Sequence, residues 1–310
     1  MNRNATTKLH SSSSINSNSD AFTILSKVKT GRGEKAGTYH RIQHESKSTG
    51  TNMTFGLFLP TSYTKNKTPV MFFLSGLTCD ESNFSTKAGP LAFATAEEEN
   101  ISICLPDTSP RGENVPNDEN YDLGQGAGFY IDATQDPWNQ HFHMRSYVSQ
   151  ELPEFLKDEF GLEVKSVCGH SMGGFGALSL AFENPEEWTA VSAFAPISNP
   201  TNCPWGEKAF TNYLGSAENG KKFDPTAMLQ ARETGFETFD DILIDQGSDD
   251  NFLEEQLKPH LLKGAADNCG QRITLNMRDG YDHSYFFIAA FIEDHVRFHA
   301  KRLQEKMSEM

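Results

Sequence analysis

The sequence lacks the patterns that would indicate disulfides, membrane spans or a metal site. It has five cysteines, an odd number without a C-x-x-C pair, which indicates reduced thiols and a cytoplasmic compartment. No run of about 18 apolar residues occurs, so no segment is expected to cross a bilayer. There is no H-E-x-x-H pattern, and His141 and His143 have no partner cluster. Neither a metal nor a cofactor is therefore expected.

Basic residues are also scarce. The 310-residue chain has 27 Lys and Arg residues against 42 Asp and Glu residues, a formal net charge of −15 at pH 7. A surface of this sign repels polyanions, which argues against nucleic acid and anionic membranes as partners. The length suffices for one large α/β domain with a full core.

The first residues differ in composition from the rest of the chain. Residues 11–14 are all serine, Asn and Thr are frequent around them, and no acidic residue precedes Asp20. Such a segment has little apolar surface to bury, so residues 1–25 are predicted to form a disordered tail. Residues 26–310 are predicted to form a single domain.

From residue 38 onward, apolar segments alternate with helical patterns. Helices fall between the later predicted strands, which favours a mostly parallel sheet of about eight strands with helices on both faces. The predicted strands span residues 38–46, 52–59, 69–75, 100–106, 164–169, 189–195, 241–246 and 272–277.

Residues 169–173, Gly-His-Ser-Met-Gly, match the G-x-S-x-G nucleophile elbow. A serine at the apex of a sharp strand-to-helix turn needs small residues two positions away on each side, and Gly169 and Gly173 supply them. A predicted strand precedes the motif and a predicted helix follows it, which is the context that the elbow requires. The pattern predicts an α/β-hydrolase fold with Ser171 as a catalytic nucleophile.

A serine nucleophile needs a histidine base and a carboxylate, in the chain order Ser, acid, His for this architecture. His283 is the histidine that lies between a late strand and a late helix. Asp250 follows a turn glycine by three residues, where hydrolases of this fold usually carry the acid. Asp249 remains an alternative, and Asp282 is too close to His283 in sequence to orient it readily.

The oxyanion of an acyl-transfer intermediate needs two hydrogen-bond donors. One is expected to be the backbone N–H of Met172, directly after the nucleophile. The second is expected from the turn after the apolar strand at residues 69–75, where the N–H of Leu77 lies.

Several segments together resemble one family, the S-formylglutathione hydrolases, also called esterase D. The resemblance covers residues 38–303 in order. The segments that carry it are residues 75–79 (Ser-Gly-Leu-Thr-Cys), 107–112 (Asp-Thr-Ser-Pro-Arg-Gly), 126–130 (Gly-Ala-Gly-Phe-Tyr), 169–174 (Gly-His-Ser-Met-Gly-Gly), 192–197 (Ser-Ala-Phe-Ala-Pro-Ile), 203–206 (Cys-Pro-Trp-Gly) and 280–285 (Gly-Tyr-Asp-His-Ser-Tyr).

The resemblance implies hydrolysis of S-formylglutathione to formate and glutathione, with side activity on short-chain esters, in a homodimer. It assigns Ser171, Asp250 and His283 to the triad, and so supports Asp250 over Asp249. It assigns Leu77 and Met172 to the oxyanion hole. In this family a cysteine at the position of Cys79 lies near the site and confers sensitivity to thiol reagents; a buried, unreactive thiol is the alternative.

The substrate pocket is predicted only in part. Trp205 and the long loop at residues 107–138 are expected to wall the acyl site, where crowding would favour short acyl chains. Glutathione is anionic and needs a local cation, for which Arg111, Lys87 and Arg145 are unranked candidates. Two other functions remain open: a broad short-chain carboxylesterase or acyltransferase of the same fold, and a non-catalytic binding protein.

Overall fold

The computed structural model describes residues 21–33 and 36–310. It contains a nine-stranded sheet with the order β1-β2-β3-β5-β4-β6-β7-β8-β9. The strands are β1 (Thr23–Lys29), β2 (Thr38–Glu45), β3 (Asn52–Leu59), β4 (Val70–Leu74), β5 (Ser102–Pro106), β6 (Lys165–His170), β7 (Val191–Phe194), β8 (Ile242–Gly247) and β9 (Ile273–Arg278).

The α-helices fall mainly between the later strands. They are α1 (Glu81–Lys87), α2 (Gly89–Glu98), α3 (Met144–Ser146), α4 (Leu152–Phe160), α5 (Met172–Glu183), α6 (Pro204–Leu214), α7 (Ala217–Gly220), α8 (Pro225–Gln230), α9 (Pro259–Cys269) and α10 (Tyr285–Glu309). Single 3₁₀ turns lie at Trp138–Gln140, Pro185–Glu187, Pro200–Asn202 and Lys221–Phe223, and π-helical segments at Tyr147–Glu151 and Leu253–Leu257. Within the residues described, no helix is both long and apolar enough to span a membrane.

The direction of the strands changes along the sheet. β1, β2, β3 and β5 pair antiparallel to one another, whereas β5, β4, β6, β7, β8 and β9 run parallel. Helices α5 and α10 both pack on β4, β6 and β7. Because two helices cannot share one face of the same three strands, α5 and α10 lie on opposite faces. The predicted mostly parallel sheet with helices on both faces is confirmed.

The sheet of about eight strands expected from the sequence has nine, and the added strand is β1. All eight lie within two residues of their predicted bounds, but β1 was assigned in part to the disordered tail. Residues 23–25 belong to this strand, whereas residues 1–20 of the predicted tail lie outside the described part of the chain. β1 pairs only with β2 at the edge of the sheet, and its side chains are mostly exposed. An edge strand of this kind gives no apolar run that a sequence pattern could detect.

Glycines allow β4, β6 and α5 to pack unusually closely. A Cβ atom on Gly173 would lie 1.9 Å from the carbonyl oxygen of Leu74, and one on Gly169 would lie 2.1 Å from that of Gly173. Both clashes involve backbone atoms, which cannot rotate away as the end of a side chain can. Gly173 therefore sets the distance between α5 and β4, and Gly169 sets the distance between β6 and the first turn of α5.

We expect Gly173→Ala to lower the free energy of unfolding by about 3 kcal/mol, because the added methyl forces the backbone of α5 away from β4. Gly264→Ala is the matched control. Gly264 lies in α9, where an added methyl group would meet no atom of the described residues within 4 Å beyond its own helix backbone and chain neighbours. Alanine should therefore stabilise the protein there by about 0.5–1 kcal/mol through helix propensity. Chemical denaturation measures both; equal stability of the two variants would contradict the packing interpretation.

Candidate active site

Ser171 lies between the end of β6 and the start of α5, in a strained backbone conformation. Its φ is +58° and its ψ is −118°, a region that side-chain-bearing residues rarely adopt and that costs about 1–3 kcal/mol. Hydrogen bonds hold this conformation: the Ser171 N–H donates to the Phe194 carbonyl (2.9 Å), and the Ser171 carbonyl accepts from Phe175 (3.0 Å) and Ile197 (3.2 Å). The turn presents the hydroxyl at the carboxyl edge of the parallel strands.

The predicted base and acid are in direct contact. His283 Nδ1 lies 2.6 Å from Asp250 Oδ2. The Asp250 carboxylate is buried and is fixed by two further donors, Gln246 Nε2 to Oδ2 (3.1 Å) and the Phe252 N–H to Oδ1 (2.9 Å). An ionised carboxylate can only accept, so Nδ1–H donates and Nε2 is left as the basic nitrogen. This tautomer is the one that a general base toward Ser171 requires.

The other two acids near His283 are occupied elsewhere. Asp249 is exposed and accepts from Ser248 Oγ (3.0 Å). Asp282 is also exposed, and its Oδ1 accepts from the N–H (3.0 Å) and hydroxyl (2.6 Å) of Ser284 at the start of α10. Within the described residues neither carboxylate bonds to the His283 ring. The geometry favours Asp250, the first choice from the sequence.

The two predicted oxyanion donors flank the nucleophile. Met172 is the first residue of α5, so its N–H has no acceptor within the helix and lies at the positive end of the helix dipole. Leu77 lies in the loop after β4, and a Cβ atom on its neighbour Gly76 would be 3.1 Å from Ser171 Cβ. The loop and the nucleophile are therefore adjacent, as two converging donors require.

Hydrogen bonds from distant segments fix the loop that carries Leu77. The Thr78 N–H donates to the Gly126 carbonyl (2.9 Å), and the Tyr130 hydroxyl donates to the Ser75 carbonyl (2.8 Å). Arg111 Nη2 donates to the Cys79 carbonyl (2.8 Å). A loop held at both ends is preorganised, which is the condition under which oxyanion donors contribute most to catalysis.

A cavity of about 750 Å³ opens over Ser171 and His283. Five of the seven residues predicted for the site line it: Ser171, His283, Leu77, Cys79 and Trp205. Asp250 lies behind His283 and bonds to its ring, and Met172, a buried residue whose predicted role is that of its backbone N–H, directly follows Ser171 in the chain. The sequence thus selected residues that the fold gathers at one cavity, although they are spread over more than 200 positions of the chain.

Aromatic side chains form one wall of this cavity. The Trp205 indole N–H donates to the Tyr121 hydroxyl (3.1 Å), and the Trp205 ring lies 4.7 Å from that of Phe252. Tyr121 belongs to the long loop that was expected to contribute to the pocket. Phe252 follows Asp250 by two residues and also packs edge-on against His283 at 5.1 Å. Neither Tyr121 nor Phe252 was identified from the sequence, because no motif marks them.

His170 also lines the cavity, and its ring lies 4.5 Å from that of His283. Burial, and to a lesser degree the neighbouring His283, lower the pKa of His170 well below its usual range. It is therefore neutral near pH 7 and does not compete with His283 for a proton. His141 and His143 instead bond to the backbone carbonyls of Thr49 and Asn139. Among the residues described, no group of three or more His, Cys, Asp or Glu side chains could hold a metal ion.

Cys79 lies at the cavity but is nearly buried, with 8% of its surface exposed. Burial raises the pKa of its thiol, which the Tyr285 hydroxyl, 4.0 Å from the sulfur, partly opposes. The thiol is therefore accessible only from the substrate side and is mostly protonated at neutral pH. Both features differ from those of an exposed reactive cysteine.

We expect iodoacetamide to inactivate the enzyme slowly at pH 7 and progressively faster at higher pH, with the rate still rising above the ordinary thiol pKa of about 8.5, because only the thiolate is nucleophilic and burial raises the pKa of Cys79. A short-chain substrate in excess should protect. Cys79→Ser should keep most of the activity and lose the sensitivity, whereas Cys269→Ser, at a buried position away from the cavity, should behave like the wild type. Continued inactivation of Cys79→Ser would show that another cysteine is responsible.

Comparison with known proteins places the chain in a family. The Esterase family model matches residues 46–298. The S-formylglutathione hydrolase of Paracoccus denitrificans (strain Pd 1222) is 50% identical over 264 residues, which cover 84% of this chain and 92% of that protein. A solved S-formylglutathione hydrolase from Agrobacterium tumefaciens has a TM-score of 0.83 and 38% identity, covering 90% of this chain and 99% of that one.

A more distant structure shares the fold alone. The ferulic acid esterase AmCE1/Fae1A from Anaeromyces mucronatus has a TM-score of 0.62 at 20% identity, over 86% of this chain and 92% of that one. The family match and the 50% identity over most of the chain go further than the fold. The resemblance seen in the sequence is confirmed: the chain belongs to the S-formylglutathione hydrolase family of esterases, within the α/β-hydrolase fold.

Proposed function

We propose that the chain is a serine thioesterase that hydrolyses S-formylglutathione to formate and glutathione, with side activity on short-chain carboxylic esters. The observation that carries the proposal is that His283, hydrogen-bonded to the buried Asp250, lines one cavity together with Ser171. The 50% identity to a protein named for this activity supports the choice of substrate. Ser171, Asp250 and His283 are the proposed triad.

In the proposed acylation step, Ser171 Oγ attacks the formyl carbon while His283 Nε2 accepts the hydroxyl proton. Asp250 keeps the ring oriented and stabilises the imidazolium that forms. The N–H groups of Leu77 and Met172 donate to the carbonyl oxygen as it becomes an oxyanion, each contributing about 10²–10³ in rate. Collapse breaks the C–S bond, and the leaving glutathione thiolate takes the proton from His283.

Deacylation repeats these steps with water as the nucleophile. His283 removes a proton from water, the resulting hydroxide attacks the formyl ester on Ser171, and the same two N–H groups stabilise the second oxyanion. Collapse breaks the bond between the formyl carbon and Ser171 Oγ, which takes the proton back from His283, and releases formic acid, which ionises to formate in solution. The aromatic wall of Trp205, Tyr121 and Phe252 limits the room beside the nucleophile, which favours short acyl groups.

The setting of this activity is also a proposal. Residues 26–310 are proposed to act as one catalytic domain, supported by the family match over residues 46–298. The proposed compartment is the cytoplasm, supported by five cysteines that are all free and buried. A homodimer is proposed from the family resemblance alone. No cofactor is invoked, because serine, histidine and aspartate suffice for the reaction.

Steady-state assays of the purified protein test the proposed substrate. We expect kcat/KM for S-formylglutathione to exceed that for S-acetylglutathione by about tenfold or more, since one methyl group in a confined pocket changes discrimination by at least that factor. It should also exceed kcat/KM for p-nitrophenyl acetate. A value for the formyl thioester no higher than for the acetate ester would favour a broad carboxylesterase. Absence of turnover and of fluorophosphonate labelling would favour a binding protein.

A further inference from the structure

The proposed substrate presents this protein with an electrostatic difficulty. Glutathione carries two carboxylates and one ammonium group, so its thioester has a net negative charge near pH 7, while the protein has a formal charge of −15. Long-range attraction therefore cannot bring the thioester to the cavity. Recognition of the thiol portion requires a cation at the cavity itself, and the inference below rests on the proposed function.

Two of the three candidate cations have partners within the fold. Arg111 Nε lies 2.9 Å from Asp107 Oδ2, and Arg111 also supports the Cys79 carbonyl. Arg145 is buried, with 6% of its surface exposed, and pairs with Glu183. Moving either guanidinium to a substrate would leave a carboxylate without its partner.

Lys87 is differently placed. It lines the cavity together with Ser171 and His283, and among the described residues it is the one Lys or Arg that does so. Its ammonium group lies 4.9 Å from the centre of the Tyr285 ring and forms no ion pair with a described carboxylate. No Asp or Glu in the described part of the chain lines this cavity. The nearby carboxylate is that of Asp80, which caps the other end of α1 and accepts from the N–H and hydroxyl of Ser82.

The position of Lys87 in the fold explains why it lies at the same cavity as Ser171 and His283. It is in the last turn of α1, the helix that follows the loop of Leu77 and Cys79. Tyr285, under the ammonium group, is the first residue of α10, which follows His283. The rim of the cavity at Lys87 is therefore built by the same two segments that carry the oxyanion donor and the base.

A second feature of this rim fits a peptide-like thiol. Phe286, next to Tyr285, is 87% exposed and also lines the cavity. Exposure of a phenyl ring to water is unfavourable in free energy, so a ligand that covers the ring gains from the contact. The charge of Lys87 also acts on Cys79: burial raises the pKa of the thiol, the Tyr285 hydroxyl and then the Lys87 ammonium oppose that rise, and Asp80 adds to it to a smaller degree. An apolar face beside a free cation suits a ligand with both methylene groups and carboxylates.

We infer that Lys87 is a specificity-determining residue that receives a carboxylate of the thiol leaving group, with Phe286 packing against the apolar part of that group. The formyl end then lies toward Ser171, and the thiol portion extends to the rim formed by α1 and α10. Lys87 acts on binding rather than on the chemical step, because the carboxylate is remote from the reacting carbon.

The test compares two formyl thioesters that differ in charge. One is S-formylglutathione, and the other is the neutral S-formyl-N-acetylcysteamine. For Lys87→Gln we expect the ratio of kcat/KM for the anionic over the neutral thioester to fall about fivefold, as for loss of one partly solvated ion pair. The loss should be mainly in KM. Lys87→Glu should lower the ratio further, about 25-fold, because it replaces attraction by repulsion.

The salt dependence of the ratio and a second lysine variant test whether the effect comes from the charge at position 87. Raising salt from about 0.02 to 0.5 M screens the repulsion by the net charge of the protein, which acts on the wild type and on Lys87→Gln alike, and also the attraction by Lys87, which only the wild type has. The wild-type ratio divided by the Lys87→Gln ratio should therefore fall toward one as salt rises. Lys301 is also exposed and lies on α10, about 24 Å along the helix from Tyr285 at 1.5 Å per residue. Lys301→Gln should leave the ratio unchanged.

The outcomes separate this inference from the proposed function. An unchanged ratio in Lys87→Gln and Lys87→Glu would overturn the role of Lys87, even if the wild type is an efficient S-formylglutathione hydrolase. Turnover of the neutral thioester without turnover of S-formylglutathione would overturn the proposed function. In that case S-formyl-3-mercaptopropionate serves as the anionic substrate, and a Lys87-dependent preference for it would keep the inference, whereas its absence would end it.

Discussion

Replacement of Ser171 by alanine is expected to lower kcat by on the order of 10⁴- to 10⁶-fold on both the formyl thioester and p-nitrophenyl acetate. In the proposed mechanism the Ser171 hydroxyl oxygen forms the acyl-enzyme, and Ser171 is the hydroxyl residue at the cavity that lies at the strand-to-helix turn between β6 and α5. Labelling by a fluorophosphonate probe should disappear together with turnover. Substantial activity in Ser171→Ala would exclude a serine mechanism altogether.

A second substitution at position 171 tests whether Ser171→Ala loses activity through unfolding. Because Ser171 has a φ of +58°, glycine should relieve strain that alanine retains. We therefore expect Ser171→Gly to unfold at higher denaturant concentration than Ser171→Ala, by about 1 kcal/mol in the free energy of unfolding, while both are inactive. Loss of activity in two folded variants of different stability would separate chemistry from unfolding.

The sequence predicted the sheet well because most of its strands are buried on both faces. β4 and β5 are buried along their whole length, so each reads as an uninterrupted apolar run. β1 had no such run because it is exposed at the edge. Its place in the fold depends on pairing with β2, which a local pattern does not record.

Ser171 and His283 could be proposed as nucleophile and base from the sequence because the chain order and local context of such residues are restrictive. Other parts of the site were beyond sequence reasoning. Tyr121 and Phe252 reach the cavity only through the packing of distant segments. The sequence also could not rank Lys87 above the other candidate cations, because those are occupied by ion pairs between distant residues. Arg145 and Glu183, for example, are 38 positions apart in the chain.

A second set of Ser, His and Asp side chains shows why residue types alone do not define a site. His295 Nδ1 lies 2.8 Å from Ser192 Oγ, and His295 Nε2 lies 3.8 Å from Asp245 Oδ2. All three are fully buried, and burial lowers the pKa of His295. Ser192 lies within β7 rather than at a strand-to-helix turn. These three side chains lie neither at a strained turn nor at a cavity, and their contacts hold α10 against the sheet.

The choice between Asp249 and Asp250 also shows that residue type alone does not define a site. Asp249 and Asp250 have the same side chain and follow the same strand, so sequence position alone could only rank them. In the structure Asp250 is buried against His283, whereas Asp249 is exposed and bonds to Ser248. The difference arises from the direction in which successive side chains leave the turn after β8.

Asp250→Asn is expected to lower kcat by about 10⁴, whereas Asp249→Asn should change it by less than about threefold. An amide at position 250 can donate to His283 Nδ1, which would place the ring proton on Nε2 and remove the base that faces Ser171. The amide is nearly the same size as the carboxylate, so the bond from the Phe252 N–H to Oδ1 should survive and the protein should stay folded. Steady-state kinetics of the two variants, with denaturation curves of each, measure both effects. The opposite ranking would move the acid to Asp249 and would require the turn after β8 to rearrange when substrate binds.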